Sequence, residues 1–457
     1  MARPGFGTDG VRGVANVELT PELAVALGRA AARVLRPAAV VVGRDTRRSG
    51  PMLQAALSAG MAAEAADVVD VGVLPTAGVA YCAERRGLPG AVVSASHNPF
   101  SDNGIKLFDA AGVKLSPELE AAVEAELGRV LGTGSGAGVD GPPPERSPAG
   151  AAVGWLSSDP GAADAYRCHL ADALAGRRLD GLSVVVDCAN GAASAVAPCV
   201  LADLGASVEA VCAEPDGTNI NAGCGSTHPA RLAEAVVAAR ADLGLAFDGD
   251  ADRLVAVDHR GEVVDGDVLL AVFAVDLAAR GALRGGGVVV TVMTNLGFRI
   301  AMAERGIAVV ETPVGDRHVL AALDDEGFEL GGEQSGHVVF RSRSTTGDGI
   351  LTGLLLADTV VRSGRALAEL GAGLVERVPQ VLVNVGVPDP GRLRGAAAVW
   401  DAVAEIEAEL GSKGRVLLRS SGTEPLVRVM VEAPSAELAA DAAARLRTVV
   451  EGALGAR

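Results

Sequence analysis

The chain has 457 residues, nearly half of them apolar but only 3% aromatic, and a formal charge of −17. That length allows about three or four domains, with cores built from Ala, Val and Leu. The acidic balance argues against nucleic acid or an anionic membrane as the main partner, so an anionic substrate would need a locally positive pocket.

The amino terminus, Met-Ala-Arg-Pro-Gly-Phe-Gly, lacks the apolar stretch of a signal peptide, and no apolar run reaches membrane-spanning length. A soluble, cytoplasmic protein is expected. Valine-rich strands then recur in order. Val40–Val42 is followed by a helical pattern, a strand at Asp67–Val73, a helix from about Pro75 and a strand at Gly90–Val93. Val184–Val186, Ser207–Ala213 and Asp242–Phe247 repeat the scheme, as do Val288–Val292, Ile307–Glu311 and Phe328–Leu330. Short β-branched runs alternating with Ala/Leu-rich helical stretches predict parallel α/β construction. The six cysteines, at 82, 168, 188, 199, 212 and 224, include no C-x-x-C pair and read as buried reduced thiols.

The Gly/Pro-rich segment 132–150 predicts a flexible surface connection. After about Gly371 the pattern changes: a strand at Gln380–Val387, a helix over Leu393–Leu410, strands at Gly414–Leu418 and Leu426–Glu432, and a helix over Ala436–Leu454. The expected fold is α/β, with three similar mixed or parallel α/β units plus a smaller C-terminal α+β domain around one central cleft. The expected divisions are 1–153, 154–256, 257–370 and 371–457.

Each third strand runs into a polar loop: Ser94-Ala-Ser-His-Asn-Pro99, Asp248-Gly-Asp-Ala-Asp-Arg253 and Gly332-Glu-Gln-Ser-Gly-His337. Open parallel sheets place ligand groups beyond the carboxyl ends of their strands, so three such loops predict three units facing one cleft. Ser96 alone would be a turn serine. Its place after a buried strand, among polar neighbours, makes it a candidate nucleophile that His97 could orient. A Ser-His-Asp hydrolase fits poorly, because there is no G-x-S-x-G elbow and adjacent residues rarely face each other. Asp248, Asp250 and Asp252 fail as a calcium loop: Arg253 stands where glycine is needed, and His259 where a bidentate glutamate is needed. Magnesium, which takes few carboxylates plus a phosphate oxygen, fits better.

The chain has only three lysines against 37 arginines. Lys106, in Asp102-Asn-Gly-Ile-Lys106, is therefore a candidate proton carrier, a role arginine cannot fill. Arg12 and Arg44 follow glycine-bearing turns and suit an oxygen-rich ligand. Arg317, after Thr312-Pro-Val-Gly-Asp, is a further substrate-binding candidate, and His318 beside it is as readily structural as functional. The C-terminal hairpin loop Arg419-Ser-Ser-Gly-Thr-Glu-Pro425, with Arg428 beyond, is rich in phosphate-binding groups.

Together these pieces resemble the α-D-phosphohexomutase superfamily over essentially the whole chain. The opening Gly7-Thr-Asp-Gly-Val-Arg-Gly13, the serine loop, the aspartate loop, the sugar loop at 332–337 and the C-terminal phosphate loop stand in family order. The resemblance implies that Ser96 carries a phosphoryl group, and that Mg²⁺ is held by Asp248, Asp250, Asp252 and an oxygen of that phosphate on Ser96. Lys106 would be the general acid/base, with Arg12, His97 and Arg253 shaping the reaction centre. Glu333 and Ser335 would grip sugar hydroxyls, while Arg419, Ser421, Gly422, Thr423 and Arg428 hold the non-reacting phosphate. The implied reaction interconverts the 6- and 1-phosphates of a phosphosugar through a hexose or hexosamine 1,6-bisphosphate.

Gln334 resembles the glucosamine branch of the superfamily, where relatives acting on glucose or mannose phosphates more often carry methionine. His318 and Ser420 depart from that branch, which commonly has an aromatic and a basic residue there. A homodimer and a place in the supply of UDP-N-acetylglucosamine for cell-wall synthesis are implied. A metal-dependent glycosyltransferase, or a non-catalytic phosphosugar-binding protein, would have no use for Ser96 as a nucleophile.

Overall fold

The structure, a computed structural model, describes residues 6–7, 10–132, 148–420 and 425–455. Most of the expected connection at 132–150, and Ser421, Gly422 and Thr423 of the C-terminal loop, lie outside the described residues.

Three sheets are built to one plan. In the first, Ala39–Arg44 runs parallel between Asp67–Val73 and Gly90–Val93. In the second, Ser183–Asp187 lies between Ser207–Val211 and Leu243–Phe247. In the third, Gly287–Thr291 lies between Ala308–Thr312 and Leu330–Gly332. The middle strands are valine-rich because helices cover both faces, so every side chain must be apolar and fit a pleated surface.

The third strand of each unit then turns straight back on itself. Asp102–Phe108, Leu254–Asp258 and Val338–Phe340 pair antiparallel with Gly90–Val93, Leu243–Phe247 and Leu330–Gly332. Strict alternation of strand and helix did not anticipate these return strands. The three polar loops are therefore hairpin connections, not strand-to-helix turns, and all three leave the same end of equivalent strands.

Two departures concern boundaries. Leu156–Ser158 pairs parallel to Asp67–Val73, so the first sheet continues past residue 153. Helix Gly349–Ser363 follows the third sheet in sequence but begins against the second unit's aspartate loop: Gly349 N donates to Ala251 O at 2.9 Å. Asp348 caps this helix through Leu351 N (2.9 Å) and accepts the buried Tyr166 hydroxyl at 2.7 Å. One hydrophobic core runs continuously through Val41, Phe108, Tyr166, Phe247, Phe273 and Phe340, spanning all three units. Each large side chain buried there contributes about 1.5–3 kcal/mol.

The C-terminal unit is separate in construction. Leu426–Glu432 runs antiparallel between Gln380–Gly386 and Arg415–Ser420. Helices Ala397–Leu410 and Ala436–Leu454 pack beside this sheet around a core of their own. The helix expected from Leu393 starts later, after a 3₁₀ turn at Pro390–Gly395. Buried Glu432 joins the unit to the third one, accepting from Asn295 Nδ2 (3.0 Å), Leu296 N (3.1 Å) and Arg415 Nε (2.5 Å).

All six cysteines are free thiols, but Cys168 and Cys199 are exposed, contrary to expectation. Cys168 lies on the helix face opposite buried Tyr166 and Leu170. Among the described residues, no helix is long and apolar enough to cross a membrane.

Candidate active site

Ser96 sits 1% exposed at the head of the first hairpin loop, with a left-handed backbone (φ +52°). That conformation is costly for a residue with a Cβ, so the surroundings must hold it. Arg47 does much of this. Its wholly buried guanidinium pairs with Asp45 (Nε to Oδ2, 2.8 Å) and donates to the carbonyls of Ser96 (2.8 Å), Asn98 (2.9 Å), Asp102 (2.9 Å) and Pro99. From the second unit, Asn221 Nδ2 donates to the carbonyls of Ser96 (2.9 Å) and Asn98 (3.0 Å). Ser94 Oγ, bonded to Asp45 at 2.7 Å, accepts from Ser96 N at 3.0 Å.

The Ser96 hydroxyl donates to Asp248 Oδ2 at 2.5 Å, between residues 152 apart in sequence. His97 Nδ1 lies 3.2 Å from the same hydroxyl, so here adjacent side chains do meet, with Ser96 in its unusual backbone conformation. Burial, then the charges of Arg253 and Arg12, hold His97 below its ordinary range, which places both arginines at this centre. Gly249 allows the two loops to touch: a Cβ there would stand 2.6 Å from Ser96 O.

Asp248, Asp250 and Asp252 are all buried, and their ligand atoms lie within 4.8 Å of one another. Lys106, 2% exposed, reaches them from the return strand Asp102–Phe108, with Nζ 2.8 Å from Asp250 Oδ2 and 3.5 Å from Asp252 Oδ2. Thr76 Oγ1 donates to Asp250 Oδ2 at 2.6 Å. Burial, with Asp252 and Asp250 adding to it, pushes Asp248 well above its ordinary range. Burial also opposes ionisation of Asp250 and Asp252, but Lys106 helps hold both below theirs.

These residues fit a hard divalent cation. Asp250 Oδ1 and Asp252 Oδ1 are buried without a hydrogen-bond partner among the described residues, and Lys106 pairs with only Asp250 and Asp252 of the three gathered carboxylates. A second group, Asp187 with Cys212 and Cys224, also gathers ligand atoms within 4.8 Å. There the carboxylate already accepts from Ala189 N (2.9 Å) and Gly225 N (2.8 Å), and burial pushes the Cys224 thiol up to about 12.

The third loop faces this centre. Glu333 Oε1 accepts from Gly315 N at 2.9 Å, and Ser335 Oγ donates to Glu333 Oε2 at 3.2 Å. His337 Nδ1 lies 3.7 Å from Asp252 Oδ2. Gln334 is half-buried in the same loop. From the C-terminal unit, Arg419 and Arg428 stand opposite each other on paired strands. Burial and the neighbouring Arg428 charge lower the Arg419 pKa, with Glu333 acting against them. Two guanidiniums side by side facing the sugar loop form a receptor for an anion.

Two candidates lie elsewhere. Arg44 is held by Gln54 Oε1 at 2.6 Å and lies 3.9 Å from Asp70. Arg317 is paired with Glu120 of the first unit at 2.6 Å. His318 is exposed. Sequence reasoning missed Arg47, Asp45, Asn221 and Thr76, and also Lys114, whose Nζ lies 2.6 Å from Asp316 Oδ2. The scarcity of lysine was a usable signal for Lys114; the others are ordinary residue types whose importance comes from tertiary contact.

The sequence matches models of four domains: phosphoglucomutase/phosphomannomutase alpha/beta/alpha domain I over residues 3–130, domain II over 164–261, domain III over 265–378, and the C-terminal domain over 382–449. It is 53% identical to a phosphoglucosamine mutase of Streptomyces avermitilis, covering 98% of this chain and 99% of the relative. A phosphoglucosamine mutase of Rhodococcus opacus is 52% identical, covering 95% of this chain and 96% of that one. Among solved structures, a phosphoglucomutase/phosphomannomutase family protein of Burkholderia thailandensis superposes with a TM-score of 0.79 at 26% identity, covering 99% and 98% of the two chains. The N-acetylphosphoglucosamine mutase of Aspergillus fumigatus, solved in complex with GlcNAc-6P and magnesium, shares the fold with a TM-score of 0.69 at 19% identity, covering 99% and 97%.

Proposed function

The chain belongs to the phosphoglucomutase/phosphomannomutase family, and we propose that it is a phosphoglucosamine mutase, interconverting glucosamine 6-phosphate and glucosamine 1-phosphate. The observation that carries this is the Ser96 hydroxyl set 2.5 Å from Asp248, inside a buried carboxylate trio contributed by a different sheet. In the exchange, the free hydroxyl oxygen of the sugar forms a bond to the phosphorus carried on Ser96, and the bond to Ser96 Oγ breaks. The product is a 1,6-bisphosphate. It reorients in the cleft and returns its other phosphoryl group to Ser96.

Asp248, Asp250, Asp252 and the phosphate on Ser96 would hold Mg²⁺, which neutralises charge on the transferring group. Lys106 carries the proton between the sugar hydroxyl and Ser96 Oγ. Arg12, Arg253 and His97 surround the phosphoryl group and exclude water from it. Glu333 and Ser335 orient the sugar through its hydroxyls. Arg419 and Arg428, with Ser421, Gly422 and Thr423, hold the distal phosphate, so binding energy remote from the reaction serves both orientations. Glucosamine 1-phosphate made in this way would feed UDP-N-acetylglucosamine and peptidoglycan synthesis.

A metal-dependent glycosyltransferase would need the aspartates but not a hydroxyl buried against them. Incubation with a hexose 1,6-bisphosphate should add about 80 Da to the intact protein, mapped to Ser96 and absent from Ser96→Ala. No adduct, with full activity in Ser96→Ala, would reject the proposal. Catalytic efficiency on glucosamine, glucose and mannose 6-phosphates decides the substrate: glucosamine is expected to lead.

A further inference from the structure

The boundary between the first and third units is tied by two ion pairs of opposite polarity. Lys114 Nζ meets Asp316 Oδ2 at 2.6 Å, and Glu120 Oε2 meets Arg317 at 2.6 Å. Asp316 and Arg317 are adjacent in sequence, so a slipped register would bring like charges together. The Lys114 and Asp316 side chains are each under a tenth exposed, which shields the pair from salt. Thr345 Oγ1, bonded to Gly112 O at 2.7 Å, ties the same boundary a third time.

One peptide away stands Gly315, with φ +123°, a conformation that suits glycine and strains other residues. Its N–H is the donor that holds Glu333. Asp316 also lies 3.9 Å from His337, whose other nitrogen faces Asp252. A shift of 316–317 relative to the first unit would therefore reach the sugar loop through one or two bonds.

We propose that Lys114, Glu120, Asp316 and Arg317 form a crossed latch that fixes Glu333 relative to the serine loop, making them positioning residues for the sugar. This rests on the reading of Glu333 as a sugar ligand given above, and it reassigns Arg317 from gripping substrate to holding the third unit in place. The latch leaves phosphorylation of Ser96 itself untouched.

The test compares E120R, R317E and the reversed pair E120R/R317E in the full chain, with Mg²⁺ and a 1,6-bisphosphate present. Each single variant should raise KM for glucosamine 6-phosphate about tenfold or more, with kcat changed far less and the Ser96 adduct formed normally. The double variant should return KM to within about threefold of the parent. An unchanged KM in E120R overturns the latch. So does a double variant as impaired as R317E, which is the behaviour of an arginine that binds substrate directly. E120Q asks the same question without charge reversal, with a smaller rise expected. Hydrogen exchange at 315–318 gives a readout independent of turnover: faster in each single variant and restored in the double if the latch holds, unchanged if it does not. A parent protein inactive on every hexose phosphate would instead sink the functional reading, while this exchange pattern would still decide the latch.

Discussion

Replacing Arg47 by Met tests what holds the serine loop. The substitution keeps much of the side-chain volume but removes the guanidinium. Two losses compete. The carbonyls of Ser96 and Asn98 keep Asn221 as a donor, and Pro99 O keeps Asp102 N at 3.1 Å, so leaving them costs little. Asp45 fares worse, because both partners of its 2.8 Å ion pair have side chains with no exposure. Breaking a buried pair by removing one partner costs about 3–5 kcal/mol, more than the weakened loop contacts. For a unit this large that is a fall of roughly 5–10 °C in Tm. Calorimetry on R47M should show it, with lowered turnover because the left-handed backbone of Ser96 loses one of its braces. The double variant D45N/R47M removes the stranded charge and should recover most of the Tm while activity stays low. An R47M protein melting within about 2 °C of the parent, or a double variant no more stable than the single, would refute this reasoning.

Asp250→Asn should lower kcat about 10²–10³-fold in a protein that still folds, measured by steady-state assay and circular dichroism; unchanged turnover would contradict its place at the cation. Treatment with a chelator should abolish turnover and added Mg²⁺ should restore it, whereas full activity after chelation would remove the cation from the mechanism. Gly249→Ala drives a Cβ to 2.6 Å from Ser96 O, and should cost about 1–3 kcal/mol together with most of the activity; wild-type behaviour would show that the two loops part readily. Burial pushes Asp267 up to about 6, against the hydrogen bond from Asn295 N at 2.9 Å. Since its folded value is raised, its contribution is complete below about pH 4 and is lost as pH rises through about 6. Stability should therefore fall between those limits by up to about 3 kcal/mol more in the parent than in Asp267→Asn, and parallel profiles would contradict the assignment.

The three-fold architecture and its polar loops were legible because a buried parallel strand must be almost wholly apolar, so the first charged residues after it stand out. Asp248, Asp250, Asp252 and Ser96, which the structure brings together, stand out in that way. The return strand Asp102–Phe108 was not, because its polar residues Asp102, Asn103 and Lys106 interrupt the apolar run expected of a strand paired on both sides. Lys106 is polar because it reaches the carboxylate trio, so the site obscured the secondary structure. Arg47 and Asn221 were invisible for a different reason: their role is to donate to backbone carbonyls of a loop distant in sequence, and no local pattern encodes that. Arg317 shows what a local pattern leaves out: a cation after a strand looks the same whether it awaits an anion or, as here, is paired with Glu120.

The core that runs through the first three units has a consequence for motion. Each of them also has a cluster on its other sheet face, but helix Gly349–Ser363 and the residues around Tyr166 interleave neighbouring units, so the serine, the carboxylate trio and the sugar loop should move as one block. The C-terminal unit, whose residues do not join that shared core, has more mechanical independence to swing. Release of a bound phosphosugar would then proceed by lifting Arg419 and Arg428 away, leaving the chemistry half of the cleft rigid from one turnover to the next.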